Sequence, residues 1–306
     1  MQQPYIPVFE LWPVHGDGLR EVAVVLVGYM DESYDGTAIP KVFSLSCLVG
    51  SILGWIYFDW HWKGVLDRKN EELRSQGRTE LSRFHAQEIN NFAGEYKGWT
   101  PAERLEFCQR LTDVFQRNPV HIHGWDMPLQ VLVEIIPETK PNPIGFAYCV
   151  LLGELMTQIG ETTLSLQSYK ADSISLHHEH CKHDSSLLDW FNLLLEDEKF
   201  QFRHRYISIT SERWESCGPL QPADLVAYEN FKEGMRYHVK ESKEAQRGKM
   251  RLSGIRGRAE SGDGRDVTPV FLYCLRKIIV VRPVCPRFTV FSRGWRSCDP
   301  RCKMYP

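Results

Sequence analysis

The sequence predicts an α/β fold, in which a mixed sheet carries helices on both faces. Two observations carry this prediction. Two strand-like segments joined by a turn stand near the start of the chain, and helical and strand-like segments alternate after them. The first two strands then form an antiparallel hairpin, and the later strands join the sheet through helices.

The hairpin is predicted from residues 21–30 and 41–50. EVAVVLVGYM is a β-branched apolar run of strand length, and KVFSLSCLVG alternates as a half-buried strand does. Asp35 and Gly36 lie between the two segments and are typical of a hairpin turn. We therefore expect these strands to be antiparallel neighbours.

Helices and strands alternate after the hairpin. In the first helix Ile52, Trp55, Ile56, Trp62 and Leu66 share one stripe, so we expect them in the core, and the helix should end near Gly77. A later helix starts at WTPAERLEF, a capping box preceding an amphipathic segment. Strands are predicted at 120–126, 173–178 and 206–210, and further helices at 146–159, 187–195 and 222–237.

Bulk composition indicates an ordinary globular protein. The 306 residues are 42% hydrophobic with a formal net charge of −2, so no overall basic footprint points to nucleic acid. We expect no secretion signal and no membrane span, because the longest apolar stretch near the end, 270–281, contains two basic residues. Nine cysteines without regular spacing fit a reducing, cytoplasmic environment.

Three regions are expected from composition. Residues 1–20 are an irregular extension, 21–245 are the α/β domain, and 246–306 are a tail rich in Cys, Pro and Gly. From 251 onward ten Arg and two Lys oppose four acidic residues, a net charge of +8. The remaining 250 residues therefore carry −10.

Several acids are candidates for chemistry. Asp31 and Glu32 end the first strand on opposite faces, and a carboxylate at the end of a buried sheet is unfavourable unless it is paired or binds a metal. Asp224 lies in the first turn of the last helix, where the helix dipole alone favours an acid. FHAQEI adds His85 and Glu88. Taken singly, Asp31 and Asp224 have an ordinary structural explanation.

The stretch SLHHEHCKHD at 175–184 is richest in metal-ligand side chains and allows a zinc site. Lys182 stands where a helical metalloprotease motif would need histidine after His178 and Glu179. Cys298 and Cys302 could complete such a site. A row of surface histidines at a strand end is the competing interpretation.

Taken together, YMDESYDG, FHAQEI, the acidic strand end at Glu179, and LQPADLVAYENFKE resemble the family called domain of unknown function 3800. The resemblance runs from about residue 22 to 240. It is most specific in the Asp-Glu-Ser and Gln-Pro-Ala-Asp-Leu segments. Pro222 departs from the aliphatic residue usual there, and the sequence after residue 250 has no counterpart.

The resemblance implies a ribonuclease-H-like fold and a Mg²⁺ or Mn²⁺ site. Asp31 and Asp224 would be the main ligands, with Glu179 or Glu88 as the third. His85 would protonate a leaving group or orient water. The implied activity is metal-dependent cleavage of a phosphodiester.

A nucleic-acid partner would need local basic contacts. Arg203 and Arg205 precede the last predicted strand, and Arg213 and Trp214 follow it, although a solvated strand end is the more common explanation of such residues. Two further interpretations stay open. One is a non-catalytic binding protein that keeps the fold, and the other is a zinc-stabilised interaction module.

Overall fold

The computed structural model describes residues 25–37, 40–165 and 173–252. This part of the chain forms five strands and seven α-helices. The strands are β1 (Val25–Tyr34), β2 (Val42–Ser51), β3 (Val120–Pro128), β4 (Ser173–Glu179) and β5 (Tyr206–Glu212). The helices are α1 (Ile52–Ser75), α2 (Ala86–Asn91), α3 (Pro101–Arg117), α4 (Leu129–Ile135), α5 (Pro143–Ser165), α6 (Asp184–Glu196) and α7 (Leu220–Leu252).

The strands form one sheet in the order β3-β2-β1-β4-β5. β2 is antiparallel to both β1 and β3, whereas β4 is parallel to β1 and β5 is parallel to β4. The carboxyl ends of β1, β4 and β5 therefore meet at the same end of the sheet. The predicted mixed α/β sheet is confirmed.

Helices cover both faces of the sheet. On one face Val27 and Tyr29 of β1 pack in an apolar cluster with side chains of α1, α3 and α7. On the other face Leu26 and Met30 pack with α5 and α6. The two-residue period of β1 thus divides its apolar side chains between two cores.

The hairpin forms as predicted, but β1 is longer than expected. It continues through Tyr34, and Asp31 pairs with Ser46 of β2. In the turn Gly36 has a φ of +69°, and the Asp35 carboxylate accepts hydrogen bonds from two backbone N–H groups. Asp31 and Glu32 are therefore fixed within the sheet.

The predicted extent of helix α1 is confirmed, but one of its predicted core residues is exposed. Trp55 and Trp62 are buried, whereas Ile56 is 41% exposed. Ile56 belongs to a second stripe, with Tyr57 and Trp60, on the solvent side of the helix. Both stripes have helical spacing, so periodicity alone could not separate them.

The other helices vary in how well the sequence predicted them. The capping box is present, since Thr100 accepts the Glu103 N–H and the Glu103 carboxylate accepts the Thr100 N–H. The short helices α2 and α4 were not predicted. Helix α7 continues to Leu252, past its predicted end at residue 237 and past the expected domain limit at 245.

Helix α5 is, within the described ranges, the single helix long and apolar enough to cross a membrane. It nevertheless packs on the sheet, and Tyr148, Leu152 and Leu155 are completely buried there. Such burial is typical of a core helix in a globular domain.

Several expectations concern residues outside the described ranges. These are the extension at 1–20 and most of the tail at 246–306, including Cys298 and Cys302. Among the described residues, Cys47, Cys108, Cys149, Cys181 and Cys217 are all free thiols.

Candidate metal-binding cleft

A cavity of about 450 Å³ opens at the carboxyl ends of β1 and β4, next to the start of α7. Its walls come from parts of the chain that are far apart in sequence, and most of the lining side chains are polar or charged. They include Asp31, Glu32, Arg83, His85, Glu179, Trp214, Gln221, Asp224 and Tyr228.

Asp31 lies in β1 and is almost completely buried. Its Oδ1 accepts the backbone N–H of Glu32 at 2.9 Å. Burial raises the pKa of Asp31 well above its usual value, and the negative charges of Asp224, Glu32 and Glu179 raise it further. This carboxylate therefore lies in a site that favours a bound proton or a cation.

Asp224 faces the same cleft from the second turn of α7 and not from the predicted first turn, because the helix already starts at Leu220. Its Oδ2 accepts the backbone N–H of Ala86 at 2.8 Å, which ties α7 to the start of α2. Burial raises the pKa of Asp224 to about 6, although the Ala86 hydrogen bond and the positive ends of His85 and Arg83 oppose the rise. Burial thus outweighs the helix-terminus effect considered from the sequence.

Glu179 is the last residue of β4 and brings a third carboxyl group to the cleft. Burial raises its pKa, while the nearby charges of Arg83 and His85 lower it. Its charge also raises the pKa values of Asp31 and Asp224. The three acids are therefore electrostatic neighbours.

His85 is the N-cap of α2. Its Nδ1 accepts the Glu88 backbone N–H at 3.3 Å. In the neutral ring the proton then resides on Nε2, which leaves one donor for a ligand. His85 thus combines a capping role with a position in the cleft wall.

Glu32 also reaches the cleft, although it lies on the other face of β1 from Asp31. Its Oε2 accepts a hydrogen bond from the Tyr148 hydroxyl of α5 at 3.2 Å. Burial raises the pKa of Glu32 to about 7. Strand alternation had suggested that only one of the two neighbouring acids could join a cluster, but the cavity extends around the end of the sheet and contacts both.

The structure places three other candidate residues away from the cleft. The Glu88 carboxylate contacts Gly94 and is not part of the lining. Arg203 and Arg205 precede the first residue of β5, at the opposite end of the sheet. The Arg205 guanidinium donates to Thr163 Oγ1 of α5 at 2.6 Å. The structure therefore separates Glu88, Arg203 and Arg205 from the acids that line the cleft.

The nearest basic and aromatic pair is instead Arg83 with Trp214. The Arg83 guanidinium carbon lies 4.0 Å from the centroid of the Trp214 ring, and both side chains line the cleft. Arg213, the third arginine of the expected basic stretch, is exposed just after β5. Arg83 directly precedes Phe84 and His85, but a single arginine there carries no pattern that singles it out.

Comparison with known proteins gives no relative: no family model matches the chain, and no curated protein matches it significantly. The resemblance described above therefore rests on this chain's own residues and on their positions in the fold.

Proposed function

We propose that this protein is a divalent-metal-dependent nuclease, or a related phosphodiester hydrolase, with a ribonuclease-H-like fold. The observation that carries the proposal is the convergence of Asp31, Glu179 and Asp224 on one cleft, from β1, β4 and α7. These are the three positions from which the resemblance draws its catalytic acids.

The donor set suits Mg²⁺ or Mn²⁺. Both are hard cations that bind carboxylate oxygens and retain several waters, and a cleft open to solvent leaves room for those waters. Burying several like charges together is unfavourable unless protons or cations neutralise them. A bound cation would relieve the repulsion that raises the pKa of Asp31.

The sheet supports the fold assignment. Its strand order, β3-β2-β1-β4-β5, places an antiparallel three-stranded part beside two parallel crossover strands. The acids lie in the carboxyl-terminal half of the central strand, at the end of its parallel neighbour and near the start of the last helix. Fold alone does not establish activity, so the proposal depends on the cleft.

Each side chain of the cleft has a distinct role in the proposed phosphodiester cleavage. Asp31, Asp224 and Glu179 would hold the divalent cations, which when bound would supply activation of water and stabilisation of the leaving oxygen. His85 would orient an oxygen of the substrate by a hydrogen bond from its Nε2–H group. Arg83 lies beside these acids and offers a positive charge to a phosphate.

Clustering of the acids favours an enzyme over a non-catalytic protein that keeps the fold. A binding surface for a basic partner would need acids that are exposed and separated. Asp31, by contrast, is only 6% exposed, and the negative charges of the acids around it raise its pKa. Acids buried together in a cleft are typical of catalytic sites.

Calorimetric titration of Mn²⁺ tests the site. It would be carried out on the wild type and on Asp31→Asn, Asp224→Asn and Asp113→Asn variants, followed by incubation with single- and double-stranded DNA and RNA. Asp113 is an exposed acid of α3 and serves as the matched control. We expect binding in the wild type and in Asp113→Asn, and a loss of at least tenfold in affinity in the other two.

Binding that is absent, or that does not respond to Asp31→Asn and Asp224→Asn, would refute the shared metal site. Binding at these acids without cleavage of any substrate would refute the nuclease and leave a metal-binding protein. Cleavage by the wild type that both variants lose would establish the proposed function.

A further inference from the structure

A second cluster of metal-ligand side chains lies where β4 ends and α6 begins. One ring nitrogen of His178, the Sγ of Cys181 and a carboxylate oxygen of Asp184 lie within 4.8 Å of one another. His178 is next to the last residue of β4, and Asp184 is the first residue of α6. The turn between them thus brings three different donor types together.

Hydrogen bonds from the main chain and from Ser211 hold these side chains in place. Asp184 Oδ1 accepts the Cys181 N–H at 2.9 Å, and its Oδ2 accepts the Ser211 hydroxyl of β5 at 2.7 Å. The His183 N–H donates to the Cys181 sulfur. His178 is almost fully buried, and its Nδ1 lies 2.9 Å from the Glu179 carbonyl oxygen. Such contacts orient metal ligands in many proteins.

The donors select a class of ion. Imidazole, thiolate and carboxylate together suit Zn²⁺, whereas Mg²⁺ and Ca²⁺ prefer oxygen alone. With bonds of about 2.0–2.3 Å, tetrahedral zinc ligands lie roughly 3.3–3.8 Å apart. The three ligand atoms already lie within 4.8 Å of one another, so closure around an ion needs shifts of only about 1 Å.

This cluster shares no ligand with Asp31, Glu179 and Asp224, but it adjoins the cleft at Glu32, since the charge of Asp184 raises the pKa of Glu32 and the charge of Glu32 raises that of the Cys181 thiol. Successive residues of β4 point to opposite faces, so Glu179 serves the cleft while His178 faces the side of α5 and α6. The zinc interpretation of the sequence relied on Cys298 and Cys302, which lie outside the described residues. The three residues here need neither of them.

We infer that His178, Cys181 and Asp184 form a zinc site that joins the end of β4 to the start of α6. Three protein ligands leave the fourth position of the tetrahedron to water or to His180, whose Nδ1 lies 2.5 Å from Asp184 Oδ2. The site does not depend on the proposed nuclease activity.

Co²⁺ is a spectroscopic substitute for Zn²⁺, because its bond to a thiolate absorbs in the near ultraviolet. The titration uses the full chain and the variants Cys181→Ser and Cys149→Ser. Cys149 is a matched control, since it is also a free, half-buried thiol. We expect the absorption in the wild type and in Cys149→Ser, its loss in Cys181→Ser, and its removal when Zn²⁺ displaces Co²⁺.

A second measurement avoids any failure of a variant to fold. Alkylation of the wild-type cysteines, followed by mass spectrometry, reports each thiol with and without Zn²⁺. We expect Zn²⁺ to slow alkylation of Cys181 at least tenfold and to leave Cys149 unchanged. Absorption that persists in Cys181→Ser, or equal alkylation of Cys181 with and without Zn²⁺, overturns the site.

Discussion

Asp224 gives the cleft a measurable dependence on pH. Its pKa is about 6 in the folded protein, against about 3.8 when exposed. The folded state therefore binds the extra proton, and this contribution to stability is lost as pH rises from about 4 to above 6. Without metal, Asp224→Asn should raise the free energy of unfolding by up to about 3 kcal/mol at pH 8.

Urea unfolding in the presence of a chelator measures this effect at pH 4.5 and pH 8. The gain should shrink towards the lower pH, because the wild-type carboxyl is then protonated in the folded state. Asp113→Asn, at an exposed position, should leave stability almost unchanged at both pH values. A gain that is equal at both pH values would contradict the role of burial.

Trp214 provides a second prediction at the scale of single residues. If the cleft binds a strand with an unpaired base, the ring stacked on Arg83 can stack on that base as well. Trp214→Ala should weaken binding of a single-stranded oligonucleotide by about 5- to 150-fold, the equivalent of 1–3 kcal/mol.

Fluorescence anisotropy with a labelled oligonucleotide measures the loss. Trp60→Ala is the matched control, because Trp60 is 69% exposed on α1 and does not line the cleft. Equal affinities of the two variants would exclude Trp214 from binding.

The sequence predicted the positions of the acidic residues of the cleft better than those of its basic residues. Asp31, Glu179 and Asp224 each lie in or near the part of a strand or helix to which the sequence assigned them, so their positions follow from the elements that carry them. Glu88 was misplaced because the orientation of a six-residue helix cannot be derived from its sequence. Arg83 was missed because its only signal, stacking on Trp214, is a tertiary contact.

At the scale of elements, alanine substitutions of two helical glycines distinguish the effect of helix propensity from the effect of packing. A Cβ at Gly64 in α1 would meet open space, whereas one at Gly160 in α5 would collide with the ring of Phe202. Gly64→Ala should therefore stabilise the protein by about 0.5–1 kcal/mol, through backbone entropy alone. Gly160→Ala should destabilise it by about 1–3 kcal/mol through overpacking.

Thermal unfolding of both variants beside the wild type provides the comparison. Each substitution is the same chemical change in a helix, so their difference isolates the contact with Phe202. If both variants were stabilised, α5 and the segment that carries Phe202 could move apart without a cost in folding free energy, which would contradict the expected overpacking.

Elements with local signals were predicted well, and elements without them were not. The capping box at Thr100 and Glu103 gave the start of α3. Helices α2 and α4 have six and seven residues, too few for a periodic pattern. β1 was predicted too short because Asp31 and Glu32 look like turn residues until they pair with β2.

For the molecule as a whole, a cation that binds only the folded state should stabilise it. At a Mn²⁺ concentration 100 times its Kd the gain is about 2.7 kcal/mol, which raises the Tm of a domain of this size by roughly 5–10 °C. Asp31→Asn should abolish the shift, and Cys181→Ser should retain it.

Differential scanning calorimetry with and without Mn²⁺ measures the shift. If Asp31→Asn showed a Tm shift of equal size, Mn²⁺ would have to bind outside the cleft. Loss of the shift in Cys181→Ser would mean that the two metal sites are not independent.

The order of the strands could not be read from the sequence. Apolar periodicity identified each strand and the hairpin, but not that β4, far along the chain, pairs with β1 rather than with β3. That choice depends on how α5 packs across the sheet, which is a tertiary interaction. The cleft exists only because β4 occupies that place.

The distance in sequence between Asp31 and Asp224 also governs when the cleft can appear. One acid lies in the first strand and the other in the last helix, so a growing chain on the ribosome contains no complete carboxylate set until α7 has emerged. Truncated products of interrupted translation likewise lack it. The three-acid set of the cleft therefore assembles only after α7 has been synthesised.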